Sequence, residues 1–499
     1  MKAYPRLSEK QILQQFKTKN SAFWNKVKND RVLDIFHRAA LNVPAYSSFL
    51  AKHNISPSNI KTLKDFEGIP SLSKKNYLRK YPFKDLCWKG DLVKPIVYTA
   101  TSGSTGEPFY FPRESRLDWE YSVLAEHFLT ISSSKSEGPV LLIVAFGMGV
   151  WIGGVFTYQA FEIAGKRVGN ISIITPGINK KEIFHALKFL APNYAEVILA
   201  GYPPFLKDIV DEASDNKVNF KKMSVRFLFA AESFSEKFRD YLAKNVELGN
   251  PYLDTFNIYG SADLGAMAFE TPTSILIRRL SLENKKLFAD IFSSIKKIPT
   301  LAQYNPHFIN FEEQSGEIFV TADNTLPLVR YAIGDSGGVL TFSEMQNHLL
   351  ESGINLKKEA EKVGIKCLYE LPFVFVYERK DFSTTLYGLQ IYPEHIREAL
   401  LNPGISPYLT GRFTALTKFN RSQNQYLEIH IELQHKKKVS GQLKKRVLDQ
   451  IVTALHLKNS EFRELHSHLG KRALPKIVFW PAEHPAYFKP GIKQKWVIK

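Results

Sequence analysis

Tyr98-Thr99-Ala100-Thr101-Ser102-Gly103-Ser104-Thr105-Gly106-Glu107-Pro108 is the stretch on which the reading of this chain turns. It follows a short apolar run, and its small hydroxyl residues lie between glycines. Several backbone N–H groups and hydroxyls can therefore converge on one point, which suits phosphate oxygens. The lysine of a GxxxxGK[ST] loop is absent, so this is no Walker A motif. Taken alone, a Ser/Gly linker would look the same; its surroundings decide.

Downstream of it, short β-branched and aromatic runs at residues 140–144, 167–174, 197–200 and 225–229 alternate with stretches of helical period. That alternation predicts an α/β fold with mainly parallel sheets. Upstream, residues 1–96 read as a mostly helical lead-in, with N-cap signals at Ser8 and Ser73. The texture changes again near residue 377. A Pro-started helix at 393–400, strand runs at 413–416 and 426–431, and a basic helix around Lys444-Lys445-Arg446 make a small α+β unit. The expected domains are 1–377 and 378–499.

The composition agrees with a folded, multi-domain protein. The chain has 499 residues, 44% hydrophobic and 23% charged, which excludes a wholly disordered or collagen-like chain. Its two cysteines, Cys87 and Cys367, are too few and too far apart for a disulfide framework or a cysteine-based metal site. No run of about 18 apolar residues exists, and the first residues lead into a polar helix signal, so a cytoplasmic protein without a membrane span is expected. The net charge is +18, and most of the excess falls in residues 381–499, where 19 Lys or Arg accompany 9 Asp or Glu. Such a surface suits an anionic partner: a phosphorylated cofactor, an acidic carrier protein, a membrane surface or nucleic acid.

Further strings follow in order: Phe146-Gly147-Met148-Gly149-Val150-Trp151, Ala230-Ala231-Glu232, Tyr259-Gly260-Ser261-Ala262-Asp263, Gly316-Glu317-Ile318, Arg330-Tyr331-Ala332-Ile333-Gly334-Asp335 and Glu378-Arg379-Lys380-Asp381. Together they resemble the adenylate-forming superfamily of acyl-CoA synthetases and peptide-synthetase adenylation domains, in its phenylacetate-CoA ligase-like branch. The resemblance runs from about residue 97 to the end. It implies a large N-terminal adenylate-forming domain and a small mobile C-terminal domain hinged at Asp381.

Roles follow from the resemblance, each with a chemical reason. Joining a carboxylate to the α-phosphate of ATP brings two anions together, so positive groups and N–H donors must offset the growing charge. The resemblance gives Thr101, Ser102, Gly103, Ser104, Thr105 and Gly106 to the β- and γ-phosphates, Ala231 and Glu232 to the adenine turn, and Tyr259, with Gly260 and Ser261, to the adenine and phosphate side. Asp335 would accept hydrogen bonds from the ribose hydroxyls, and Arg379 would contact the nucleotide. Asp263 stands where most members carry Glu, and would ligate Mg²⁺. A tail lysine is to bridge the substrate carboxylate and the α-phosphate: Lys493 first, Lys495 second, Lys489 third. Relatives with a cysteine-rich zinc site have it where this chain reads Phe269-Glu270-Thr271-Pro272, so no structural zinc is expected.

The implied reaction is ATP-dependent formation of an acyl-adenylate and then of an acyl-CoA thioester, with Gly388 on the loop that admits the thiol arm. Phe146, Gly147, Trp151 and Tyr158 are the acid-pocket candidates, favouring an aryl or other bulky apolar acid. Two alternatives stay open. One is transfer to an acyl carrier protein. The other, of a different class, is nucleic-acid binding by the basic C-terminal unit, whose aromatic residues would stack on bases.

Overall fold

The computed structural model describes residues 7–93, 96–100, 109–134, 138–292, 298–377, 384–485, 487–488 and 497. Its backbone is one eleven-stranded mixed sheet with helices on its faces, a helical lead-in, and a three-stranded C-terminal sheet. Across the large sheet the strands run Ile309–Gln314, Glu317–Ala322, Leu328–Leu340, Phe373–Tyr377, Thr300–Gln303, Gly265–Phe269, Thr255–Ser261, Val225–Ala230, Glu196–Gly201, Val140–Ala145 and Ile171–Ile174.

The last five of these are mutually parallel. Their central members, Val140–Ala145 and Glu196–Gly201, are buried along their whole length, as strands covered by helices on both faces must be. The crossovers include the helices Ile152–Val168, Pro203–Asp211 and Glu236–Val246. This is the α/β pattern that the alternation of strand and helix periods predicts. From Thr255–Ser261 outward every pairing is antiparallel, so the sheet changes character at that strand.

The lead-in starts where Ser8 suggests. Ser8 caps the helix Glu9–Thr18 in a capping box with Gln11. The long helix Ser21–Asn42 then buries Trp24, Ile35 and Phe36 in the main core. Leu72 adds to the long strand Leu328–Leu340: its N–H donates to the Arg330 carbonyl (3.0 Å) and its carbonyl accepts from Ala332 (2.8 Å). That stitch fixes the helical turn Lys74–Leu78, which Ser73 caps. Arg330 reinforces it by donating to the carbonyls of Glu67 and Ile69.

The C-terminal unit pairs Leu409–Phe419 with Gln425–Leu433, and the latter runs parallel to Lys476–Trp480. Pro393–Leu400, Gly441–Lys458 and Ser460–Leu469 are its helices. A hairpin, Thr384–Leu386 with Leu389–Ile391, projects from it. Both residues of its two-residue turn have positive φ, +50° at Tyr387 and +85° at Gly388, the type I′ geometry that matches strand twist. Leu386, Tyr387 and Leu389 share one apolar cluster with Phe205 and Leu206, so the unit is docked on the large sheet's helical layer. Among the described residues, no helix is long and apolar enough to cross a membrane.

Candidate active site

Tyr259 lies near the end of the strand where the sheet switches from parallel to antiparallel. Asp335 belongs to a strand four places away in the sheet order. In a flat sheet, four spacings of about 4.8 Å would separate them by roughly 19 Å, beyond the reach of a tyrosine. Yet the Tyr259 hydroxyl donates to Asp335 Oδ2. The antiparallel half therefore curls over the ends of the parallel strands and encloses a cavity of about 320 Å³.

Several of the residues singled out in the sequence meet there. Ala231, Glu232, Tyr259, Gly260, Ser261, Asp263 and Asp335 all line this cavity. Ala231 takes φ +74°, an uncommon conformation for a residue with a side chain, in the turn after Val225–Ala230. Tyr259 stacks on Phe311, with ring centroids 6.2 Å apart. Asp263 is buried; its Oδ2 accepts the Tyr331 hydroxyl at 2.6 Å and lies 3.2 Å from the Lys74 ammonium.

The C-terminal unit supplies the facing wall. Gly388, Gln390, Tyr392 and Glu461 all border the cavity. The Gly388 amide donates to Glu232 Oε1, and Gln425 Nε2 donates to Glu232 Oε2 at 3.1 Å. A Cβ on Gly388 would lie 2.4 Å from Tyr202 Cδ1, so the contact requires glycine. Burial pushes the Tyr202 phenol well up, and the nearby Glu461 carboxylate adds to the effect. Behind the wall, Arg472 binds Asp208 Oδ1 (2.5 Å) and Glu212 Oε1 (3.0 Å), and Lys207 donates to Asn424 (2.7 Å).

Phe146 and Trp151 line the apolar side, joined by Tyr121, Ile152 and Phe156. Gly147 lies behind it, its N–H 3.4 Å from the Tyr202 hydroxyl. Tyr158 is a correction: it is exposed and does not border the cavity. It follows Phe156 by two positions in a helix, a rotation of about 200°, so the two residues face opposite ways. In the Phe269-Glu270-Thr271-Pro272 string, Glu270 pairs with Arg239 at 2.8 Å in the core and Thr271 caps the helix Pro272–Glu283.

The loop Thr101, Ser102, Gly103, Ser104, Thr105 and Gly106, together with Arg379, Asp381, Lys489, Lys493 and Lys495, lies outside the described residues. Val497 bridges Ala415 on the C-terminal sheet. Sequence reasoning missed Lys74, Tyr202 and Glu461. Lys74 follows the Ser73 cap and Tyr331 stands in a quoted string, but nothing local tells which way either points.

A larger cavity, about 730 Å³, lies between the lead-in and the turn after Glu317–Ala322. Its charged groups are already matched. Arg31, Arg38 and Arg116 all donate to Asp323 Oδ2 and, against the burial that opposes it, hold that carboxyl down to about 2. This is an ion cluster that ties the lead-in to the sheet.

No family model matches the chain. It is 23% identical over 224 residues to the phenylacetate-coenzyme A ligase of Thermus thermophilus, covering 44% of this chain and 46% of that one. It is 24% identical over 225 residues to the phenylacetate-coenzyme A ligase of Aromatoleum evansii, covering 45% and 47%. The chain thus spans about half the length of the curated relatives it matches. Along almost its full length it superposes on the crystal structure of 2-hydroxyisobutyryl-CoA ligase in complex with 2-HIB-AMP and CoA in the thioesterification state. The TM-score is 0.65 at 14% identity, covering 97% of this chain and 91% of that one. The chain thus shares the fold of adenylate-forming enzymes.

Proposed function

We propose that this protein is an AMP-forming acid–thiol ligase. A carboxylate attacks the α-phosphate of ATP, giving an acyl-adenylate and pyrophosphate; the thiol of CoA then displaces AMP. Splitting the reaction makes AMP the leaving group, which is far better than hydroxide. The observation that carries this reading is the convergence of Tyr259, Asp263, Asp335 and Glu232 on one cavity closed by the C-terminal hairpin.

In this reading Asp335 receives the ribose hydroxyls and Tyr259, held by its bond to Asp335, orients the adenine. Thr101 to Gly106 would cradle the β- and γ-phosphates, and Lys493 or Lys495 would reach the reacting oxygens. Mg²⁺ needs few protein carboxylates because phosphates supply its other ligands. The buried, cavity-facing carboxylate of Asp263 fits that need and would hold the ion, which supplies charge neutralisation at the phosphates. Lys74 beside it adds a second positive charge.

Phe146, Trp151, Phe156 and Tyr121 favour an aryl or other bulky apolar acid. The large domain, 1–377, would carry activation. The small one, 378–499, would turn about Asp381 to bring up the acceptor, and the contact of Gly388 with Glu232 is the arrangement suited to the thiol step. Its basic surface would meet the phosphates of CoA or an acidic carrier protein.

The test is pyrophosphate exchange with ATP, Mg²⁺ and a panel of acids (phenylacetate, benzoate, 2-hydroxyisobutyrate and octanoate), followed by addition of CoA or a carrier protein. Carboxylate-dependent exchange and CoA-dependent AMP release are expected. AMP release that depends on the carrier alone would replace CoA as the acceptor. Tight, salt-dependent nucleic-acid binding without exchange would overturn the ligase reading.

A further inference from the structure

Glu461 is a half-buried acid that the roles above leave unused. It opens the helix Ser460–Leu469, whose cap residue Asn459 also donates to the Gln390 carbonyl at 2.9 Å. The helix start is thereby fastened to the hairpin that carries Gly388. One oxygen of the Glu461 carboxyl accepts the backbone N–H of Gln390. The other, Oε2, is buried and has no hydrogen-bond partner among the described residues. An acid in a first helical turn is usually there for the helix dipole and is solvated. This one borders the cavity with an unpaired oxygen, a costly arrangement that calls for a ligand.

We propose that Glu461 is the base of the thiol step, taking the proton of the incoming thiol. The inference rests on the acid–thiol ligase reading. As the S–H proton passes to Oε2, the sulfur electron pair forms the C–S bond at the acyl carbonyl carbon. The bond from that carbon to the phosphate oxygen breaks, its electron pair leaves with AMP, and the proton is later released to water. The geometry also ties the base to the hairpin, because Glu461 and Gly388 belong to the same C-terminal unit and border the cavity together.

The electrostatics suit the task. Burial pushes the Glu461 carboxyl up to about 7, the Gln390 amide opposes that, and Glu464 on the same helix adds to it. The facing groups on the large domain are the Tyr202 phenol, which burial keeps protonated, and beyond it Glu232, so neither brings a positive charge to the carboxyl. A base that titrates near neutral pH is both available and strong enough to act.

The experiment compares wild type, Glu461→Gln and Glu461→Asp in the full chain. Pyrophosphate exchange is measured with whichever panel acid the wild type activates. Thioester formation from pre-formed acyl-adenylate and CoA is followed in single turnover from pH 5.5 to 8.5. The expected result is a thioester rate about a hundredfold lower in Glu461→Gln, relative to its own exchange rate, with the rise of rate through pH 7 abolished. Glu461→Asp should recover part of both. Hydroxylamine, which needs no base, should trap the acyl-adenylate equally well in all three. Equal losses in exchange and thioester formation, or an unaltered pH profile in Glu461→Gln, would overturn the assignment while leaving the ligase reading intact. Absence of exchange in the wild type with every acid would overturn both.

Discussion

Glu232 accepts the amide hydrogen of Gly388: a side chain on the turn after the strand Val225–Ala230 holds the tip of a hairpin from the other end of the chain. The same carboxylate also takes Gln425 Nε2, so both of its oxygens are engaged by the C-terminal unit. The turn after Val225–Ala230 and the hairpin tip therefore share one anion, and under the proposed reaction changes at this joint should separate the two half-reactions.

Gly388→Ala should slow thioester formation at least tenfold more than pyrophosphate exchange. Its φ of +85° costs an L-residue about 1–2 kcal/mol, and the new methyl would meet the Tyr202 ring. Measuring both half-reactions in one preparation checks this; equal losses would mean that the hairpin tip has no special part in the second step.

Asp263→Asn should reduce pyrophosphate exchange on the order of a hundredfold and raise the Mg²⁺ concentration needed for half-maximal rate. Tyr331→Phe removes one hydrogen bond to that carboxylate, worth about 1.5–3 kcal/mol, and should give a smaller loss in the same direction. A magnesium titration of the exchange rate distinguishes the two. An unchanged magnesium dependence in Asp263→Asn would remove the residue from the metal's surroundings.

Arg472→Ala should weaken the docked arrangement, because it deletes the contacts to Asp208 and Glu212. The thioester step should fall more than exchange. Because Arg472 is partly exposed, raising salt should slow the wild type towards the variant. Single-turnover rates at low and high ionic strength give the answer.

Two buried histidines should each contribute a loss of stability on acidification. Burial, aided by Lys17 and Arg226, lowers His127 to about 3; burial, aided by Arg31, lowers His307 to about 4. Both are neutral in the folded protein at pH 5, whereas the unfolded chain binds protons there, near the ordinary value of about 6.5. Their contribution to stability must then fall as pH drops from about 6.5 towards 4, against the opposite contribution of Glu120 and Glu461, which burial raises to about 7 and which take up protons in the folded protein over the same range. Thermal unfolding at pH 7 and pH 5 should show that the midpoint at pH 5, relative to that at pH 7, is higher in His307→Gln than in wild type.

The parallel half of the sheet was legible because helices cover both its faces, which forces continuous apolar runs such as residues 140–144. The antiparallel half was harder to see. Thr300–Gln303 and Gly265–Phe269 are buried short strands with no alternation to mark them. The residues around Tyr259 and Asp335 were readable because glycine and acid at fixed spacing leave a trace in the chain. Lys74 and Glu461 leave none: each reaches the cavity only because a stitch elsewhere, at Leu72 or at Asn459, aims it. Tyr158 misled because an aromatic residue close to a pocket in sequence need not face it once wound into a helix.

Tyr259, Asp263 and Asp335 are joined through one continuous sheet, while Gly388 and Glu461 hang on a separate, smaller one. In the proposed reaction, activation chemistry would sit on the large sheet and acceptor choice on the smaller C-terminal unit. Grafting a different closing unit onto the same sheet would redirect the activated acyl group to a new nucleophile without rebuilding the machinery that activates it.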